Sequence, residues 1–512
     1  MGYKLVKGFK MTLDPTRKAN KARGLLAIND REKNAPRLIA YYLQQIYTTA
    51  VQQISKSGFR ESDIRWCVTV PAMWDNYQKQ VMRKAAQKAG IPSDQLMLVA
   101  EPEAAAYYAR TAGVRRSDSS SVSPGHSELR VPGTRFVVAD CGGGTVDLSS
   151  YIVEADGELS EISGAAGIST GSFYLNEEFR REVLIPKLGG DEEYDRLSTE
   201  CPHAIEDIID AWEQAKLDVP LDPQRSILLP ISHALYTHLS PDVIAKLEAE
   251  QDGDCDNITV APAKIRRLFD AVVEPLLELV DQQLLKLDVK KDGSPLLLLV
   301  GGFANSPHLQ DRLTAHLQGR ATVLLTPNPG AAVLIGAVHY AYDPHTRRRF
   351  SKYTYGVKMS MPFDETLDNG RRKVTSWDGS EVCTERLSIL AHAGEIIGTF
   401  DTIDIPCAPL QADQDGLRFI LYRASAKEPR YASDPGCKII GCIELDLKAA
   451  LHLEMPKRGA VLSCRFGDTE ISATATLDVN GSTCATAVKF QARPSTRRGR
   501  SAEATANLKV SR

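Results

Sequence analysis

No stretch of the 512-residue sequence approaches eighteen uninterrupted apolar residues, so no membrane-spanning helix is expected. The opening residues, MGYKLVKGFKMTLD, are basic but lack the apolar run and small-residue cleavage site of a secretory leader. Ten cysteines are scattered with no CxxC pair among them, which argues for free thiols in a reducing compartment rather than disulfides or zinc. A cytoplasmic or nuclear location is the matching expectation. HExxH and GxSxG are absent, and the ten histidines form no recognisable ligand set. There is no Walker loop, because no GKS or GKT follows a glycine turn, and no GxGxxG dinucleotide fingerprint. The formal net charge of −3 leaves no electrostatic footprint for nucleic acid, and Arg497, Arg498 and Arg500 are too few to supply one.

What remains is a chain of ordinary globular composition, 43 % hydrophobic and 25 % charged. Residues 33–58 carry Leu38, Ile39, Tyr42, Leu43, Ile46, Val51 and Ile54 at helical spacing. A β-branched run from Trp66 to Val70 is ended by Pro71, and a helical pattern at 75–89 is stopped by Gly90. Leu96–Ala100 reads as a strand leading into a helix at EPEAAAYYAR. Residues 112–134, rich in Ser, Pro and Gly, read as a flexible surface insertion. Strands and helices then alternate. FVVAD and Leu296–Val300 are buried strands, SSYIVEADGELSEISGAAG is a hairpin at a sheet edge, and helices are expected at 172–184, 203–217, 261–287, 307–318 and 330–342. This alternation predicts an α/β layered fold over 1–350. After about residue 350, runs such as YTYGVKMSM, GLRFILYRA and CKIIGCIELDL predict antiparallel strands, hence a β-rich domain at 352–491. The tail at 492–512 is polar, basic and expected to be disordered.

The chemistry concentrates in FVVADCGGGTVDLSSYIV. An aliphatic strand delivers Asp140; Gly142, Gly143 and Gly144 then allow a tight turn whose successive N–H groups make an anion nest. Thr145 is placed to donate to a phosphate oxygen, and Asp140 and Asp147 are hard oxygen ligands suited to Mg²⁺ or its waters. The alternative is a glycine-rich hairpin with no ligand. Gly301-Gly302, after a buried strand, would let a base or ribose lie against the backbone, or would simply turn the chain. Glu101 at a strand end would orient a water for attack on phosphorus, or would cap the helix that follows. Glu213 and Lys216, one turn apart, would grip an adenosine or form a solvated ion pair. Trp66 and Trp74 read as packing residues, and His308 as a surface or cap residue.

Taken together, VTVPAMW, EPEAAAYY, ADCGGGTVDLS, GSF, LLVGGFANSPHLQDRL and NPGAAVLIGA resemble the ATPase domain of the heat-shock 70 kDa protein family. DPGCKIIGCIELDL and RFGDTEISATATLDV resemble the C-terminal part of its divergent heat-shock 70 kDa protein 12 branch. The resemblance covers roughly residues 3–490. It implies an actin-like ATPase fold, two lobes around a cleft that binds ATP or ADP with Mg²⁺, followed by a β-rich domain that meets a polypeptide or protein partner. It implies Glu101, Asp140 and Asp147 as catalytic carboxylates, the two aspartates also holding Mg²⁺ through waters. Gly142, Gly143, Gly144 and Thr145 match the second phosphate loop, Gly171 a glycine near phosphate and ribose, Glu213 and Lys216 adenosine contacts, and Gly301 and Gly302 the adenosine motif. The family's Asp-x-Gly-Thr-Thr hairpin has no counterpart, so the first lobe is expected to be N-terminally incomplete. The catalytic lysine has Lys7 and Lys10 as candidate counterparts. Two functions stay open: an ATP-binding chaperone-like protein that couples hydrolysis to partner binding, and a non-hydrolysing, nucleotide-dependent scaffold.

Overall fold

The computed structural model describes residues 35–117, 122–123, 128–287, 295–343, 346–399, 401–466, 471–478 and 483–485, together with Lys10 and Leu13. The first lobe is built on a parallel pair, β1 (Trp66–Val70) and β2 (Leu96–Ala100). Helices α1 (Ala35–Lys56) and α2 (Asn76–Lys88) pack beside it, with Ile39, Ala40, Met82, Ala85 and Val70 sharing a core. Pro71 ends β1, and Asp75 starts α2 by accepting the Tyr77 N–H at 3.0 Å, while Gln78 reaches back to the Asp75 N–H. Both strands and both helices lie where the apolar spacing predicts them.

Among the described residues, nine strands form the central sheet. In chain order they include β3 (Val114–Arg116), β4 (Val122–Ser123), β5 (Arg135–Cys141), β6 (Val146–Val153) and β7 (Leu159–Ile168). A separate antiparallel pair, β8 (Ile227–Pro230) and β9 (Asn257–Val260), sits among helices of the second lobe. The central sheet resumes with β10 (Leu296–Val300), β11 (Thr322–Leu325) and β12 (Thr346–Phe350). β5 lies in the middle, antiparallel to β6 and parallel to β10. Its residues are aliphatic on both sides because both faces are covered. Val137 and Ala139 face the core of the helix Pro262–Leu284, whereas Phe136 and Val138 face α3 (Glu101–Ala112) and the helix Ala332–Tyr342. In the second lobe Trp212 is fully buried and stacks on Phe179 with ring centroids 4.6 Å apart.

Part of the span expected as an insertion is built into this framework. β3 pairs antiparallel with β11, and Leu129 is fully buried against α3 and its neighbours. Residues 118–121 and 124–127 lie outside the described residues, as does the expected tail at 492–512.

The sheet does not stop at residue 350. β12 runs parallel to β7, and Ile396–Gly398 adds antiparallel to β12 as a further strand. Beyond it, a five-stranded sheet is ordered Lys373–Thr375, Glu381–Ala391, Thr354–Pro362, Gly416–Ala424, Lys438–Asp446. A four-stranded sheet is ordered Thr402–Cys407, Ala460–Arg465, Ser472–Leu477, Thr483–Ala485. Both bury alternate side chains, among them Val357, Phe419, Leu421, Ile443, Leu462 and Ala475, in one core. This is the β-rich region that the alternating runs predict.

Candidate nucleotide site

The register of the central sheet assembles the site. In the β5–β6 pairing Asp140 lies directly opposite Asp147, and Gly142–Thr145 forms the connecting turn, closed by the Gly142 N–H donating to the Thr145 carbonyl at 3.0 Å. In the β5–β10 pairing Val300 lies opposite Asp140, so the next residue, Gly301, arrives beside the same carboxylate. Gly301 has φ +92°, and a Cβ there would stand 2.5 Å from Asp140 Oδ1. Only glycine permits that approach. Gly171, with φ +146°, packs its backbone on the turn: a Cβ there would stand 2.5 Å from the Gly142 carbonyl. The Phe173 N–H secures the contact by donating to the Gly143 carbonyl at 2.8 Å.

From the first lobe, β2 delivers Glu101 as the opening residue of α3. Its Oε1 lies 2.5 Å from the ammonium of Lys10. The Met73 N–H, just beyond β1, donates to Asp147 Oδ1 at 2.9 Å. The two lobes enclose a cleft of 330 Å³. Its charged lining is Lys10, Glu101 and Asp140. The glycine turn with Thr145 forms one wall, and Gly301, Gly302 and Gly330 another. Pro71, Trp74 and Val333 supply the apolar surface. The volume falls in the range of small-molecule sites, roughly 300–1,000 Å³.

Among the described residues, Glu101, Asp140 and Asp147 face the Lys10 ammonium, and the crowding of carboxylates appears in the acidities of the two aspartates. Burial, reinforced by Glu101, pushes Asp147 up to about 7 against the opposing pull of the Met73 N–H, the Thr145 hydroxyl and Lys10. Burial, then Glu101 and Asp147, raises Asp140 well above the usual carboxylate range, with Lys10 opposing. Burial pulls the Lys10 ammonium down, but Glu101, with Asp147 and Asp140 behind it, outweighs this and holds it above the usual lysine value. Asp147 Oδ2 is buried and has no hydrogen-bond partner among the described residues. Asp147 does not line the cleft but lies just behind Asp140, and a buried, unpartnered carboxylate oxygen there fits a cation or its waters. Among the described residues no three acidic, histidine or cysteine side chains gather closely enough to hold a metal by themselves. The donor set therefore suits an ion held partly by water and ligand oxygens.

The other expected residues lie behind the cleft. Lys216 is buried and fully engaged, donating to the Ser172 carbonyl at 2.8 Å and Asn176 Oδ1 at 2.6 Å, with Glu213 Oε2 at 3.1 Å. Burial lowers its pKa, with Glu213 opposing. Glu213 also accepts from Asn176 Nδ2. Neither Glu213 nor Lys216 lines the 330 Å³ cleft; they brace α4 (Ser172–Phe179), which carries Gly171 at its start.

Two readings change, and one candidate is placed. Trp74, taken as packing alone, also forms part of the cleft wall, with the Lys10 ammonium 5.6 Å from its ring centroid. His308 is not a surface residue: it is buried, its Nδ1 bonds the Pro220 carbonyl at 3.0 Å, and its ring lies 4.3 Å from that of Phe269. Lys10, one of two candidates, reaches the site across 91 positions of sequence, which no local pattern discloses; Lys7 lies outside the described residues.

The family model described as Hsp70 protein matches residues 10–342, well over half of the chain. The chain belongs to this family. Human heat shock 70 kDa protein 12A is 28 % identical over 527 residues, covering 91 % of this chain and 77 % of that protein. Human heat shock 70 kDa protein 12B is 28 % identical over 539 residues with the same shares. Chaperone protein DnaK 3 of Synechococcus sp. is 26 % identical over 319 residues, 61 % of this chain and 42 % of that protein. Hsp70 membership gives the chain an actin-like ATPase fold and a nucleotide-binding, chaperone-like character. The two-lobed arrangement and the β-rich region follow that pattern.

Proposed function

We propose that the cleft binds ATP with Mg²⁺ and hydrolyses it slowly, and that the β-rich region engages a polypeptide partner. The observation that carries this reading is one cavity joining the Gly142–Thr145 nest, the Gly301–Gly302 turn and the Glu101–Lys10 pair. Backbone N–H groups of the nest receive phosphate oxygens. Gly301 and Gly302 let the nucleoside lie flat against the backbone. Lys10 offsets charge on the transferring phosphoryl group, and Glu101 orients the attacking water by position rather than by strong basicity. Asp140 and Asp147 would hold Mg²⁺ through waters, where the ion supplies charge neutralisation for the phosphate oxygens. The test is calorimetry of ATP binding with and without Mg²⁺, followed by single-turnover phosphate release. Absence of binding at millimolar nucleotide overturns the proposal.

A nucleotide-dependent scaffold without hydrolysis is the second reading. The contact between Glu101 and Lys10 favours it, because it engages the carboxylate that must orient water. Binding without phosphate release above buffer selects this alternative.

A further inference from the structure

Two residues after Glu101, the same first turn of α3 carries a second carboxylate. Glu103 is fully buried, and it faces away from the cleft toward β12. There Arg349 closes on it, one guanidinium nitrogen lying 2.9 Å from Oε1 and 3.0 Å from Oε2. The same nitrogen lies 3.4 Å from the Tyr340 hydroxyl, on the helix that packs against α3. β12 is itself held on both edges, by β7 and by Ile396–Gly398. Five residues past Arg349 the chain enters the five-stranded sheet at Thr354. A second cavity of 170 Å³, lined by Glu161, Arg349, Tyr353, Tyr355 and Trp74, lies at this junction. Trp74 thus borders both this cavity and the nucleotide cleft.

We propose that Arg349 is a positioning residue for Glu101: by gripping Glu103 it fixes the first turn of α3, and with it the place of the Glu101 carboxylate beside Lys10. The role in turnover rests on the hydrolytic reading given above; the role in placing Glu101 does not. A buried carboxylate stripped of its counter-charge must take up a proton or move toward water. Glu103 has no route to water that leaves the turn unmoved, because it is fully enclosed. Glu101 is on that turn, so its distance to Lys10 changes too. The arrangement also makes the cleft depend on β12 being seated against β7, since Arg349 reaches Glu103 only from that strand.

The experiment compares Arg349→Gln, Arg349→Lys, Glu103→Gln and the double Glu103→Gln/Arg349→Gln in the full chain. Three quantities are read: ATP affinity, single-turnover hydrolysis, and the pH midpoint of Lys10 labelling by an amine-reactive reagent, followed by peptide mass spectrometry. Arg349→Gln is expected to lower turnover on the order of 10- to 100-fold, the scale of a catalytic group misplaced by about an ångström. ATP affinity stays within a few-fold of the parent. The Lys10 midpoint falls, because Glu101 no longer holds the ammonium as closely. Arg349→Lys restores part of both effects. The double variant is no worse than Arg349→Gln, because the pair acts as a unit. If Arg349→Gln does not fold, the double variant, which leaves no unpaired buried charge, carries the test. Parental turnover and a parental Lys10 midpoint in a folded variant overturn the proposal while leaving the hydrolytic reading intact. A parent without turnover removes the hydrolytic reading instead, and the Lys10 midpoint then decides the positioning role alone.

Discussion

Gly143 and Gly301 show how differently two glycines serve one cleft. A Cβ on Gly143 would meet only the Ser172 hydroxyl at 3.8 Å, an ordinary contact, so the fold tolerates a side chain there. Gly143→Asp is therefore expected to fold with a near-parental melting temperature and to lose nucleotide binding, because a carboxylate fills a nest made for phosphate. Calorimetry with ATP and Mg²⁺ checks it; measurable affinity would show that the turn is not the phosphate site. Gly301 offers no such tolerance, having both positive φ and the Asp140 carboxylate against it. Glu101 makes the complementary case. Glu101→Gln keeps size and shape, so nucleotide affinity should change little while turnover falls by about 10²–10³. Asp140→Asn should weaken Mg²⁺ dependence as well as turnover. Hydrolysis by Glu101→Gln at the parental rate would reduce Glu101 to a helix-end carboxylate and counter-ion of Lys10.

Elements carry both the legible and the hidden parts of the fold. β1, β2, β5 and β10 could be read directly because each is a short apolar run stopped by Pro, Gly or an acidic residue, and each stop is a site position. The strand Glu381–Ala391 was not anticipated, although it is eleven residues long. Its sequence mixes Glu, Thr, Arg and Ser with apolar residues, and two register shifts against Thr354–Pro362 break the period-two pattern. β12 has no apolar alternation to announce it; it pairs with β7 and with Ile396–Gly398, and Glu103 and Glu161, 246 and 189 positions away, meet Arg349 and the Phe350 N–H. The helices Asp191–Glu200 and Pro241–Glu250 were not anticipated either, each burying only two residues and presenting little apolar stripe. The start of α2 offers a test at this scale. Asp75 caps the helix and also lies 3.5 Å from Arg423 of the β-rich region. Asp75→Ala should cost the first turn of α2 about 1 kcal/mol, read as faster amide exchange there. Asp75→Asn retains a good cap and should exchange nearly as slowly as the parent. Equal acceleration in both variants would assign the stability to the Arg423 pair instead of the cap.

Across the whole molecule, the central sheet runs from the nucleotide lobes into the strand that leads to the β-rich region, and a buried carboxylate, Glu161, sits at that passage. Glu161 on β7 faces Arg349, with Glu103 competing for the same guanidinium, Lys79 and the Phe350 N–H opposing, and Tyr151 and Tyr340 also facing Arg349. Burial is the largest influence on Glu161 and lifts it from the usual 4.5 to about 7. The folded chain therefore keeps a proton on Glu161 that the unfolded chain has already released. Between about pH 4.5 and 7 the folded state binds more protons than the unfolded state, so this residue's contribution to stability is full below that window and falls as pH rises through it. Glu161→Gln removes the titration while keeping a neutral side chain able to accept the Phe350 N–H. Thermal scans of parent and variant at pH 5, 6, 7 and 8 should therefore diverge: the melting temperatures lie closest at pH 5, the variant gains on the parent as pH rises to about 7, and the gap stays constant above that. Parallel curves would mean that Glu161 is ionised throughout, paired well enough with Arg349 to overcome its burial. Divergence would mean that the folded chain holds Glu161 protonated and that the seat of β12 contributes less stability as pH rises.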